Sequence, residues 1–163
     1  MVTAVNPDQE ALIAQIKILA DYVKVNNINR LLLEKGQFFE YGVQCKLGTV
    51  KQCFKNATIL AECNPTQLIY CEGMALGVIP VWHAWCIDHR GIVHDPTWRK
   101  GKVGPDNRVY FGIPLKLHYV QDTILRTERY GVIDNWEDDW PILTDDPKLW
   151  LEDLKSGGGQ EIR

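Results

Sequence analysis

Apolar residues recur at helical spacing near the start of the chain, at Leu12, Ile13, Ile16, Leu19, Tyr22 and Val23. Asn6-Pro7-Asp8-Gln9-Glu10 supplies a start signal ahead of them: an N-cap side chain, a proline at the first helical position and acids in the first turn. The pattern predicts a helix to about Val25, ended by Asn26-Asn27. Ile28 to Leu33 is apolar but too short for its period to separate strand from helix. Gly36 to Gly48, with Phe38, Phe39, Tyr41 and three glycines, predicts a loop or short strands. Thr49 to Glu62 reads as a second helix with Phe54, Ala57, Thr58, Leu60 and Ala61 as its apolar stripe. Thr49 is its candidate N-cap, which puts Cys53 in or near the first turn. After the break at Asn64-Pro65 come three expected strands, Leu68 to Leu76, Pro80 to Ile87 and Gly91 to His94. The last two are joined by a hairpin turn at Asp88-His89-Arg90. Val109 to Ile113 predicts a further strand, and Leu115 to Tyr130 a third helix ended by Gly131. Asn135 to Leu151 carries no readable period, and Ser156 to Arg163 reads as a flexible tail. Helices followed by a meander make this an α+β chain, with a helix packed on an antiparallel sheet.

Its 163 residues suit one domain over 1–155 with a real core, and are too few for two ordinary ones. An apolar share of 45% and a charged share of 24% are globular values, which argues against disorder. A net charge of −3 offers no electrostatic reason to expect nucleic acid or an anionic membrane as partner. No apolar run reaches the roughly 20 residues of a membrane span, and the N-terminus lacks a signal-peptide layout. A cytoplasmic protein is therefore expected. Five cysteines, Cys45, Cys53, Cys63, Cys71 and Cys86, form no C-x-x-C pair, and an odd number leaves at least one thiol unbridged. Reduced, mostly structural thiols fit that usage better than a disulfide framework.

Against this background three residues stand out in chain order. Cys53 opens a helix, His83 lies in the apolar run Pro80-Val81-Trp82-His83-Ala84-Trp85, and Asp95 closes the next strand-like run. A thiol attacks as thiolate, an imidazole in hydrogen-bond reach takes its proton, and a carboxylate fixes the imidazole's tautomer. Each residue also has a plain reading. A cysteine in an amphipathic helix is ordinarily core, a histidine in an apolar strand can be a satisfied core imidazole, and an aspartate before a proline commonly starts a turn. Their order and context together favour the chemical reading. Strand alternation turns Trp82 and Ala84 away from His83 and Trp85, so Trp85 and Trp98 are the expected apolar walls of the site. Glu72-Gly73 reads as a bulge beside it. His83, His89 and His94 invite a metal reading, but no glutamate is helically paired with a histidine, and neither metal nor cofactor is expected.

Cys53 at a helix start, Tyr70-Cys71-Glu72-Gly73, His83-Ala84-Trp85 and Asp95-Pro96-Thr97 together resemble the core of the transglutaminase-like superfamily, over roughly residues 45 to 112. The resemblance implies a nucleophile-bearing helix on an antiparallel sheet. It makes Cys53 the nucleophile, His83 the general base and then acid, and Asp95 the orienting carboxylate. The backbone N–H of Cys53 would form part of an oxyanion hole, with Gln44 and Gln52 both open as second donor. No acidic loop of the D-x-D-x-D kind marks a calcium site. The implied function is hydrolysis or transfer of an amide, peptide-like or thioester acyl group on a protein or peptide-like substrate. Two alternatives stand beside it: a papain-like or cell-wall-type cysteine peptidase, which also orders Cys before His, and a retired cleft that binds a partner.

Overall fold

A computed structural model describes residues 6–98 and 108–154. The expected tail from Ser156 onward lies outside these. Helix α1 (Pro7–Tyr22) starts where the sequence signals it, with the Asn6 side chain accepting from the Asp8 N–H at 2.9 Å, and it buries Leu12, Ile16 and Ala20. It ends three residues before the expected Val25. Asn27 is the reason: its amide donates to the carbonyls of Ala20 and Val23, and its oxygen caps the next helix at the Arg30 N–H. That helix, α2 (Ile28–Lys35), settles the open reading of 28–33.

The rest of the core is a closed barrel. Strands β1 (Gln37–Gln44), β2 (Ile69–Leu76), β3 (Pro80–Ile87), β4 (Ile92–Asp95) and β5 (Val109–Leu115) run in the order β1-β4-β3-β2-β5, with β1 pairing β5 to close it. The expectation of a purely antiparallel sheet is corrected here. β1 runs parallel to β4, and the other pairs are antiparallel, so the sheet is mixed. Alternation sorts the strand residues into two sets. Phe39, Cys71, Ala75, Trp85, Ile87, Val93 and Tyr110 form a cluster drawn from strands alone, the fill of the barrel. Tyr70, Met74, Ala84, Cys86, Phe111, Ile113 and Leu115 cluster instead with buried residues of the helices, among them Leu12, Ile16, Leu32, Ala57 and Ala61.

Helix α3 (Cys53–Cys63), which opens on Cys53, lies on that outer face. Small residues allow a close approach, with Ala57 and Ala61 fully buried and the Cys86 thiol donating to the Ala57 carbonyl at 3.2 Å. Helix α4 (Leu117–Thr127) ends at Glu128, in the left-handed region at φ 56°, and not at Gly131 as the sequence suggested. Gly131 has φ 108° three residues later, where it turns the chain past the Phe54 ring. The unread segment holds two 3₁₀ turns (Trp136–Asp138 and Pro141–Leu143) and the short helix α5 (Pro147–Trp150).

The expected bulge at Glu72-Gly73 is absent. β2 keeps unbroken register with both neighbours, and the irregularity falls in β1 between Tyr41 and Val43. Gly73 has a different purpose: a side chain there would strike the Phe111 carbonyl of β5. At Gly112 an added Cβ would lie 2.6 Å from the Trp85 ring. Both glycines let strands and ring close around the barrel interior.

Candidate active site

Cys53 is the first residue of α3, not a residue inside a helix begun at Thr49. The chain turns tightly before it, with the Gln52 N–H bonded to the Thr49 carbonyl at 3.3 Å and Lys51 at φ 63°. The first intrahelical bond comes from the Asn56 N–H to Gln52, so the Cys53 N–H has no intrahelical partner and points off the helix start. The thiol is half-buried.

His83 occupies the barrel-facing side of β3 and is 2% exposed. Its Nε2 and the Asp95 Oδ2 are 2.8 Å apart, and the Cys53 thiol lies close enough to the ring to act on its charge, with Nδ1 the remaining ring nitrogen. The three residues predicted from sequence are therefore brought together, with the imidazole in the middle. Burial works against a charged ring, but the Asp95 and Cys53 hydrogen bonds and their charge outweigh it and raise His83 to about 9. A proton is thus held on the imidazole through neutral pH.

Asp95 ends β4, fully buried. Burial alone would raise its carboxyl, but the His83 hydrogen bond and charge, then the N–H groups of Trp98 and Thr97, hold it below the usual carboxylate range. Oδ1 accepts from Thr97 N–H at 2.8 Å and Trp98 N–H at 3.0 Å; Oδ2 accepts from His83 and from the Tyr110 hydroxyl at 2.8 Å. The turn-starting reading of Asp95 and the orienting reading are both realised, one on each oxygen.

The two tryptophans part ways. Trp98 stacks on the imidazole, with centroids 4.2 Å apart and planes inclined by 22°, and is partly exposed. Trp85 is fully buried in the barrel, its centroid 6.2 Å from that of His83. The expectation that Trp85 is a wall of the site facing substrate is corrected: fully buried, it backs the imidazole from inside, and among the two tryptophans Trp98 supplies the outer wall. Gln52 is exposed beside Cys53 and makes no side-chain bond to the helix start, which leaves its amide open to a ligand. Gln44 pairs with Asp95 through the parallel β1–β4 ladder, so its backbone sits at the site; its side chain lies outside the described ones.

Sequence reasoning missed three supports. Tyr110 reaches Asp95 from β5, across the barrel, and no local pattern signals it. Asn56, buried three residues after Cys53, bonds both backbone groups of Thr49 and donates to the Thr97 hydroxyl at 2.9 Å. It thereby ties α3 to the loop that follows Asp95, and its spacing from Cys53 was the available signal.

Glu72 is the third. Fully buried on the outer face, it accepts from the Tyr70 hydroxyl at 2.9 Å and from the N–H groups of Val132 and Ile133 at 2.8 Å each. Cys53 lies within electrostatic reach of that same Tyr70 hydroxyl. Burial lifts the Glu72 carboxyl to about 7, against the pull of those N–H groups and Tyr70. Its folded value lies above the unfolded one of about 4.3, so its contribution is fully present below about pH 4 and is lost as pH rises through 7. Glu72→Ala strands three buried donors. It should lower stability by about 3–5 kcal/mol in urea denaturation near pH 6, whereas Glu72→Gln should chiefly flatten the dependence between pH 4 and 7.

The other thiols sit in different surroundings. Burial raises Cys71 and Cys86, burial and the Asp95 charge raise Cys45, and Cys63 is exposed at the far end of α3. None of the five forms a disulfide. Among the described residues no cluster of histidine, cysteine and carboxylate could hold a metal ion, and no helix is long and apolar enough to cross a membrane. Comparison with family models, curated proteins and solved structures finds no match.

Proposed function

We propose that this chain is a cysteine-dependent hydrolase or acyltransferase of the transglutaminase-like kind, acting on an amide, peptide-like or thioester bond through a Cys53-His83-Asp95 triad. One observation carries the reading: a buried imidazole bonded to a fully buried carboxylate lies within interaction reach of a half-exposed thiol that heads a helix. The nucleophile helix packed on the sheet supports the same kinship, although the parallel β1–β4 pair departs from an all-antiparallel core.

In this mechanism Cys53 reacts as the thiolate of an ion pair whose proton already sits on His83 Nδ1, and the sulfur attacks the substrate carbonyl carbon. The negative oxygen so formed meets the unpartnered N–H of Cys53, with the Gln52 amide as candidate second donor. His83 then gives its proton to the leaving amine or thiolate, and the carbon–leaving-group bond breaks to leave an acyl thioester on Cys53. Water, giving a proton back to His83, attacks the thioester and releases the acid; an amine in its place gives transfer. Asp95 keeps Nε2 protonated throughout, and Tyr110 and the two N–H groups keep Asp95 in place.

Incubation with a panel of acyl thioesters and peptide amides, read by intact mass and peptide mapping, tests this. An acyl adduct on Cys53 that forms and decays, and is missing in Cys53→Ala, is the expected result. Adducts confined to Cys63, or none with any acyl donor, would favour the retired cleft.

A further inference from the structure

Along α3, and reaching Pro96 next to Asp95, lies a cavity of about 420 Å³ that the mechanism above does not use. It is closed by the loop that precedes the helix and by the residue that follows Asp95. Leu47, Ile59, Leu60 and Pro96 give it apolar walls, Cys63 lines its far end, and the flexible side chains of Lys46 and Lys55 border it. No acidic residue lines it, although the chain as a whole is acidic by three charges. Lys46 makes no ion pair among the described residues, and Lys55 only overlies the Tyr130 ring at 6.0 Å.

Position relates this cavity to the chemistry. Cys53, Asn56 and Leu60 follow i, i+3, i+7 spacing, so the helix face that carries the thiol continues into the cavity wall. Asn56 is only about 4.5 Å along the helix axis from Cys53. Pro96 follows Asp95 directly, and its carbonyl accepts from the Gly48 N–H at 2.7 Å, which fixes the opposite wall. The Asn56 side chain, bonded to Thr49 and Thr97, holds those two walls together. A volume of this size takes a ring or a branched side chain, within the range of ordinary ligand pockets.

The geometry points to this cavity as the site that selects the substrate: it takes an apolar group bearing a carboxylate, next to the bond that Cys53 attacks. The apolar walls desolvate the body of the group, and Lys46 and Lys55 meet its charge. The inference rests on the thiol mechanism for its place in a reaction, but the cavity's preference for a carboxylate can be measured without it.

Two matched alkylating agents test it, 4-(iodoacetamido)benzoate and neutral iodoacetanilide, with Cys53 modification followed by peptide mapping. The carboxylate reagent should modify Cys53 at least about tenfold faster, with saturation. Lys46→Gln/Lys55→Gln should bring the ratio of the two rates to about one, a readout in which any change in the reactivity of the thiol itself cancels. In parallel, the unreactive 4-acetamidobenzoate should bind saturably to Cys53→Ala protein by NMR titration, and the double lysine substitution should remove that binding. Equal rates for the two reagents, or a preference that survives the double substitution, would overturn the carboxylate site with the thiol mechanism intact. An inert Cys53 alongside saturable, lysine-dependent binding of 4-acetamidobenzoate would instead keep the site and remove the mechanism.

Discussion

Asp95→Asn is expected to lower turnover by about 10⁴, the cost of the same change in a serine-protease triad, while Cys53 alkylation falls only in part. The hydrogen-bond pattern explains why asparagine is no substitute. Asp95 accepts four bonds, two on each oxygen, all from donors that are themselves fixed. An asparagine has one oxygen. If its NH₂ faces His83 and Tyr110, two donors confront it there; if it faces Thr97 and Trp98, the backbone N–H groups do. Either orientation opposes donor to donor in a buried place, so a loss of about 2–4 kcal/mol in stability should accompany the loss of rate. Denaturant unfolding and steady-state kinetics on the same sample separate the two effects. Near wild-type turnover in this variant would reduce Asp95 to a turn residue and leave a Cys-His pair.

The second large effect belongs to His83→Ala. Turnover should fall by at least as much, since no other described group is placed to take the Cys53 proton or return it to the leaving group. Cys53 alkylation at neutral pH should drop by about tenfold or more. The pH dependence of stability gives an independent reading. His83 is raised from about 6.5 in the unfolded chain to about 9 in the folded one. Its stabilisation is therefore fully present below about pH 6.5 and is lost as pH rises through 9, a difference on the order of 3 kcal/mol. Thermal melts of the wild type should weaken across that window, and those of His83→Ala should lose this component of the slope. Asp95, held low, acts at the other end: its contribution is present above about pH 4 and is lost as pH falls further.

How much of this was legible in the chain follows from how local each determinant is. Asn6-Pro7 announces α1 because a cap is a contact between near neighbours, and β2, β3 and β5 are visible because their apolar runs are long and bounded by turn residues. The helix at Ile28–Lys35 is short enough that its period decides nothing; what settles it is Asn27, which grips the preceding helix with one end and caps this one with the other. The pairing of β1 with β4 joins segments about fifty residues apart, and nothing in either run specifies parallel contact. The spatial grouping of Cys53, His83 and Asp95 was readable, since each sits at an element's end or in a strand whose direction the pattern fixes. Tyr110 was not, because its link to Asp95 exists only once the barrel closes. Trp85 was misplaced for a related reason: alternation puts it on the face of His83, but only closure shows that this face is the barrel's interior.

Modification of the five thiols by iodoacetamide in the folded wild type, quantified by peptide mapping from about pH 5 to 9, is the most direct test of the thiol mechanism. Cys53 should be alkylated first throughout, ahead of exposed Cys63, with Cys45 slower and the buried Cys71 and Cys86 last. Its lead over Cys63 should be largest at the acidic end, where an ordinary thiol is least ionised and His83 still holds its proton. Labelling of Cys63 before Cys53, or a Cys53 rate that merely tracks that of Cys63 across this range, would contradict a Cys53-His83 nucleophile.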